Sequence, residues 1–301
     1  MAAISETGNT LLAAFDPADS VGVIDRYFPT AAFFTEFERF DRFIDKQRRN
    51  LAGPDFISVC SPNYLHDAHT RFGLRSGADV ICEKPLVLNP WNLEALIEYE
   101  AASGKKVFPI LQLRHHAVVP TIREMMKNAQ SRPSIDLTYI TSRGLWYYAS
   151  WKGDIAKSGG IATNIGIHFF DMLILLFGKV EDNIVHLHTH DRAAGLLKLE
   201  HADVRWFLSI NSETLPAEVK AKNKTTYRSL RYNGQEIEFT DGFTDLHTTS
   251  YREILDGNGF SLEDCLPSIA LVHDIRTRQQ TGPVGDYHPL AALPTSKHPF
   301  I

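Results

Sequence analysis

Cysteine is scarce in this chain of 301 residues: there are three, Cys60, Cys82 and Cys265, odd in number and far apart. No C-x-x-C occurs, which excludes a disulfide framework and the common zinc spacings; buried thiols in a reducing compartment are expected, because Cys60 and Cys82 lie in strand-like apolar runs. Positive charge is in deficit, with 31 Lys and Arg against 36 Asp and Glu and a net charge of −5. No basic surface for nucleic acid is therefore expected. No apolar segment approaches the ~20 residues that cross a bilayer, so no membrane partner is expected. The opening Met1-Ala2-Ala3-Ile4-Ser5-Glu6 has neither a basic flank nor a long hydrophobic stretch; it is not expected to be a signal peptide, and the location expected is cytoplasmic. A Ser-centred nucleophile elbow, an internal repeat, a low-complexity run and a G-x-G-x-x-G turn are also missing.

What is present reads as two domains. Over residues 1–113, short apolar runs alternate with helix-length segments. Leu11 to Asp16, Phe56 to Cys60, Asp79 to Cys82 and Val107 to Leu113 are the strands; Tyr64 to Ser76 and Asn92 to Ser103 are the clearest helices. Asn89-Pro90 starts the latter, with Asn as cap and Pro in the first turn. That order implies βαβ units and a parallel sheet. A helix over roughly 117–130 closes the region. From Ser134 the texture changes to Thr-, Tyr- and Ile-rich strands at 135–148, 185–190, 195–201, 204–211 and 227–240, with a hairpin signal at Asn233-Gly234. Helices at 167–177 and twice between 246 and 280 cover one face. Residues 114–301 are thus an α+β domain with a largely antiparallel sheet, expected to bind substrate and to form oligomer contacts.

Two segments carry chemistry. Glu83-Lys84-Pro85 follows the apolar run 78–82, and open α/β sheets bind ligands beyond the carboxyl ends of their strands. Gly159-Gly160 leads into Ile161-Ala162-Thr163-Asn164-Ile165-Gly166-Ile167-His168-Phe169-Phe170-Asp171. Oxidising a secondary alcohol needs a proton acceptor and a positive neighbour for the developing alkoxide. Lys84 fits as the group that orients the hydroxyl and His168 as the acceptor. Asp171 shares a helix face with His168 and either orients it or pairs locally. His186, His188 and His190 alternate on one strand face, but the outer two lie ~13 Å apart, too far to share an ion, so no metal is expected. His69 reads as surface.

Together the two segments resemble the Gfo/Idh/MocA family of nicotinamide-dependent sugar dehydrogenases. The stretches 57–66, 111–116, 138–144, 162–166 and 242–250 further resemble its bacterial UDP-N-acetyl-2-amino-2-deoxyglucuronate 3-dehydrogenases. The resemblance implies NAD as cofactor and oxidation of C3 of a UDP-linked N-acetylated uronic acid. It also implies 2-oxoglutarate to reoxidise NADH, a homotetramer, and a role in the diacetamido uronic acids of lipopolysaccharide O-antigen. It assigns Lys84 and His168 to catalysis. It assigns Asp16, Ser61, Pro62, Asn63, His66, Glu83, Lys84, Gln112 and Arg114 to the cofactor, with Asp16 on the adenosine ribose hydroxyls and disfavouring NADP. Thr163, Asn164 and Asp171 go with Lys84 and His168 to the substrate; Arg143, Trp151 and Lys152 match its carboxylate or diphosphate, or are a surface charge or a core aromatic. The family's first strand, glycine-rich turn and most of its first helix have no counterpart here, and Met1 to Asn9 reads as the end of that helix. A late-assigned start or a real truncation is the expectation. A dehydrogenase of a free sugar or inositol, or a non-catalytic sugar-nucleotide binder, are the alternatives.

Overall fold

The computed structural model describes residues 1–19, 22–127 and 131–300. In chain order, its first half runs α1 (Ala2–Glu6), β1 (Ala13–Phe15), α2 (Val23–Tyr27), β2 (Ala32–Phe34), α3 (Phe37–Arg49), β3 (Phe56–Val59), α4 (His66–Arg75), β4 (Asp79–Cys82), α5 (Pro90–Ser103), β5 (Val107–Pro109) and α6 (Val118–Lys127). All its strand pairs are parallel, as alternation with helices requires. They form two separate ladders, β1-β2 and β3-β4-β5. The end of the helix expected at 117–130 lies outside the described residues. Asn89 stands at the N-cap of α5 in extended conformation, with Pro90 next and Gly104 at φ +67° after the last turn, but its side chain makes no cap bond. It accepts instead from Arg276 Nη2 at 2.6 Å, tying α5 to the second half.

The second half runs β6 (Ser134–Thr141), α7 (Trp146–Ala149), α8 (Ile155–Ser158), α9 (Ile167–Phe177), β7 (Val180–His188), β8 (Arg192–Leu199), β9 (Ala202–Ser209), α10 (Ala217–Ala221), β10 (Thr226–Tyr232), β11 (Gln235–Glu238), α11 (Leu246–Leu255) and α12 (Leu262–Thr277). Its sheet has the order β11-β10-β6-β9-β8-β7. Four of the five neighbouring pairs are antiparallel, so the sheet is largely antiparallel as expected, with one parallel pair, β6-β9. The strand expected over 135–148 stops at Thr141, because residues 146–149 turn into a helix. The Asn233-Gly234 turn joins β10 to β11 with φ of +47° and +86°, the pair of positive angles that matches strand twist in a two-residue hairpin.

The core lies between this sheet and the helices. α9 is apolar on almost every side, and Phe169, Phe170, Met172, Leu173, Leu176 and Phe177 are all buried. Each such side chain contributes about 1.5–3 kcal/mol of burial. Contrary to the expectation of no span-length apolar segment, residues 155–177 form one helical stretch long and apolar enough to cross a membrane, yet 83% of its apolar window is buried inside the protein, the position of a core helix. Across the sheet, Ile140, Ala194 and Phe207 pack with Leu215, Val219 and Ala291.

Candidate active site

Lys84 leaves the carboxyl end of β4, where Pro85 follows in a cis peptide. Residues 162–166 open into a π-helical turn directly ahead of α9. A π turn moves backbone carbonyls off the α ladder and is common at functional sites. Here the Asn164 carbonyl accepts from Lys84 Nζ at 2.8 Å. Gly159 and Gly160 enter that turn at φ +80° and +77°, and a Cβ on Gly159 would stand 2.6 Å from Thr163 Cγ2. Only glycine fits there. Lys84 and His168 line one small cavity with Leu111, Ile167 and Ser268, so the two motifs meet.

The electrostatics separate their roles. Burial pushes the Lys84 ammonium down to about 8; Glu83 opposes this, and Arg143 and Lys152 add to it. Burial likewise drives the His168 imidazole well below its ordinary range, helped by Lys84, His247 and Arg228, so at neutral pH it is an uncharged proton acceptor. Burial raises the Glu83 carboxyl, but the bond from His247 Nε2 at 2.9 Å and the charges beside it bring it below its usual value.

The remaining expected residues divide. Asp16 ends β1 exposed, its Oδ1 accepting from the Ala18 N–H at 2.8 Å. Ser61, Pro62 and Asn63 follow β3, Glu83 follows β4, and Gln112 follows β5 with its Oε1 buried and unpartnered. These all sit at carboxyl ends of parallel strands, the side on which such sheets hold a dinucleotide. The donor set fits a ribose and a nicotinamide amide; among the described residues no glycine-rich strand-to-helix turn stands ready for a pyrophosphate. Asn63 is buried and donates to the Ser158 carbonyl at 2.9 Å and to Asn164 Oδ1 at 3.4 Å. Asn164 Nδ2 donates to Tyr147 Oη at 2.8 Å. Asn164 therefore serves as the hub of an internal network. Thr163 Oγ1 is buried without a partner.

Three expectations need correction. Asp171 does not orient His168: its two oxygens accept from Arg114 Nη2 at 2.8 Å and Nε at 2.9 Å. Arg114 also donates to the side chain and carbonyl of Asp264, each at 3.0 Å. A planar guanidinium matches two carboxylate oxygens where an imidazole offers one donor. Arg114 and Asp171 are thus committed to each other. Burial still pushes the Asp171 carboxyl up against the pull of Arg114. Second, His66 spends both ring nitrogens on backbone carbonyls, leaving none for a cofactor. Third, His69 is no surface group; it stacks on Phe37 with centroids 5.1 Å apart and bonds Ser61 Oγ.

Two other expectations shift. A register slip between Val185 and Leu187 breaks the histidine row. His186 is buried beside Tyr287, whereas His188 faces Gly160. No cluster of metal-binding groups occurs among the described residues. Cys82 and Cys265 are buried as expected, but Cys60 is exposed past the end of β3.

Arg143 precedes α7 and Trp151 and Lys152 follow it, with Lys152 Nζ 4.3 Å from the Trp151 ring and 5.8 Å from that of Trp146. Trp146 itself is 52% exposed and was not singled out by the sequence reading. Nor were Tyr147, His247 and Arg228, the last with its guanidinium 3.9 Å over the Phe243 ring. A polar aromatic or a cation in a strand-rich stretch has no local signal of function; only the fold brings it to the site.

A parallel α/β unit that offers a lysine beyond a strand end, set against a mixed-sheet unit that offers a neutral helical histidine, is the architecture of a dinucleotide-dependent oxidoreductase. This chain belongs to the Gfo/Idh/MocA oxidoreductase family: residues 2–111 match its NAD-binding Rossmann fold and residues 134–218 its C-terminal alpha/beta domain. Among solved structures it is similar to the WlbA (WbpB) dehydrogenase of Thermus thermophilus in complex with NAD and UDP-GlcNAcA. That match has 45% identity and a TM-score of 0.92 over 96% of this chain and 94% of the other. The same Thermus protein with NAD and alpha-ketoglutarate matches at 46% identity and TM-score 0.90, over 94% of this chain and 91% of that one. Among curated proteins, D-glucoside 3-dehydrogenase of Escherichia coli is 26% identical over 46% of this chain and 40% of its own length. The Bacillus subtilis putative oxidoreductase YteT is 27% identical over 61% and 42%. The chain thus spans less than half the length of these curated relatives.

Proposed function

We propose that this chain is an NAD-dependent sugar-nucleotide dehydrogenase that oxidises the C3 hydroxyl of UDP-N-acetyl-2-amino-2-deoxy-D-glucuronate to the 3-keto sugar. The observation that carries the reading is unpaired positive charge at the site. Arg143 and Lys152 bear on Lys84, and Arg228 bears on His168, yet none of the three makes an ion pair with a carboxylate among the described residues. A sugar bearing a carboxylate and a diphosphate supplies the missing anions; a neutral sugar does not. The Thermus relative that is 45% identical was crystallised with UDP-GlcNAcA and NAD, which supports the same ligands here.

In this reading Lys84, charged, donates to the C3 oxygen and stabilises its alkoxide character, and His168, neutral, takes the hydroxyl proton. NAD, when bound, supplies the acceptor for the C3 hydride. Asp16, the 61–63 loop, Glu83 and Gln112 would hold it, and Asp16 favours NAD over its 2′-phosphorylated form. Arg143 and Lys152, with the Trp146 and Trp151 rings, would hold the diphosphate end. Residues 1–113 would carry the cofactor and 114–301 the substrate and a homotetramer interface. 2-Oxoglutarate would reoxidise NADH, and the product would enter O-antigen diacetamido uronic acid synthesis.

The test is turnover of UDP-GlcNAcA with NAD and 2-oxoglutarate. Lys84→Met and His168→Ala are each expected to lower kcat by ~10²-fold or more, the scale of losing a general acid or base, with far smaller effects on nucleotide-sugar binding. Turnover of a neutral glucoside or inositol in preference to the UDP-sugar would replace this reading with a free-sugar dehydrogenase.

A further inference from the structure

His66 opens α4 and is 1% exposed. Its Nδ1 lies 2.7 Å from the Pro85 carbonyl oxygen and its Nε2 lies 2.7 Å from that of Ser61. A carbonyl oxygen has no proton to give. A neutral imidazole has one N–H and one bare nitrogen, so in either tautomer one of these contacts would set lone pair against lone pair. Only an imidazolium donates to both. We propose that His66 is a positioning residue which carries a proton on both ring nitrogens and, as a buried cation, clamps the loop after β3 to the Glu83-Lys84-Pro85 segment.

Burial, with Lys84, brings the imidazole below its ordinary range against the pull of the Pro85 and Ser61 carbonyls and the Glu83 carboxylate, so the charge rests on the paired 2.7 Å contacts, which two carbonyl oxygens make only with two N–H donors. On its own helix, Asp67 is paired with Arg71 at 3.1 Å, and His69 stays below its ordinary range, in part because of His66. In a site this dry, losing the proton would break one bond and leave a carbonyl facing a bare nitrogen, so the pair of short bonds holds the charge in place.

The clamp has a consequence for chemistry. Pro85 follows Lys84 directly, and Ser61 begins the loop whose Asn63 reaches Asn164, the residue whose carbonyl receives Lys84. His66 thereby ties the backbone that follows Lys84 to the loop that braces its acceptor Asn164. This catalytic consequence rests on the dehydrogenase reading; the protonation state does not.

The experiment is a long-range proton–nitrogen correlation spectrum of histidine-labelled protein at pH 7. The His66 ring is assigned by its disappearance in His66→Gln or, where that variant does not fold, by its contacts to Pro85. Both His66 nitrogens are expected in the protonated range, and a bare ring nitrogen at pH 7 overturns the proposal whatever the activity. In the active protein, His66→Gln is expected to lower kcat by about 10²-fold, the scale of an ångström-sized misplacement, while the KM for UDP-GlcNAcA moves less than about threefold. An unchanged kcat overturns the positioning role. A wild type without turnover would sink the dehydrogenase reading alone, since the spectrum still decides the charge.

Discussion

Lys84→Met should make the protein more stable while it lowers turnover by ~10²-fold or more. Burial shifts Lys84 from the ordinary 10.5 to about 8, so at pH 7 the fold holds a cation that it disfavours. At ~1.4 kcal/mol for each tenfold step, that gap corresponds to about 3 kcal/mol of stability forgone. Methionine keeps the length and removes the charge, but it also loses the bond from Nζ to the Asn164 carbonyl at 2.8 Å. A hydrogen bond from a charged group contributes about 1.5–3 kcal/mol, part of which is desolvation that the apolar side chain no longer suffers. The expected net gain at pH 7 is therefore about 1–2 kcal/mol. Its sign changes with pH in a defined way. Between about pH 8 and 10.5 the unfolded wild type binds the lysine proton and the folded form does not, so wild-type stability rises through that window. The wild type gains about 3 kcal/mol across that window, so the advantage of Lys84→Met should be full below pH 8, gone by about pH 9.5 and reversed by about pH 10. Urea unfolding of both proteins at pH 7 and pH 10 measures it, read as the shift in midpoint at constant m. A variant that is destabilised at pH 7 by the same amount as at pH 10 would refute the reasoning, because it would make Lys84 a structural tether and not a strained cation.

The pH dependence of kcat/KM should fall above about pH 8 as Lys84 loses its proton, with the acid limb set by His168 well below its ordinary range; a rate that rises through pH 8 would mean that Lys84 acts as the base. Arg114→Leu leaves Asp171 buried without its partner and should cost about 3–5 kcal/mol, whereas Arg114→Leu with Asp171→Leu should recover most of it in denaturant melts. Gly159→Ala puts a Cβ 2.6 Å from Thr163 at φ +80° and should destabilise by about 2 kcal/mol or more, with loss of activity, while Gly234→Ala, which meets nothing within 4 Å, should cost only its backbone strain of about 1 kcal/mol. Asp16→Ser should narrow the preference for NAD over NADP in the turnover assay, and a wild type that uses both equally would displace Asp16 from the ribose.

Much of this protein is determined by local sequence. Alternating runs of two periods separate the parallel from the mainly antiparallel half, because periodicity is a property of neighbours in the chain. The Asn233-Gly234 hairpin and the limits of α9 at Ile167 and Phe177 follow from turn chemistry and from a mainly apolar stretch. Lys84 and His168 are legible for the same reason: each sits in a short motif whose chemistry is written in adjacent residues. What tertiary structure alone decides is which partner each polar side chain takes. His168 and Asp171 share a helix face, yet Asp171 turns to Arg114, 57 positions away in sequence, because a guanidinium brought there by the chain after β5 satisfies both oxygens at once. Glu83 finds His247 across 164 positions, and Asn63 finds Asn164 across 101. A one-residue bulge scatters a histidine row that strict alternation would align. Local pattern sets the backbone element by element; burial makes a partner worth finding for most polar groups, and that partner is fixed only when distant segments pack.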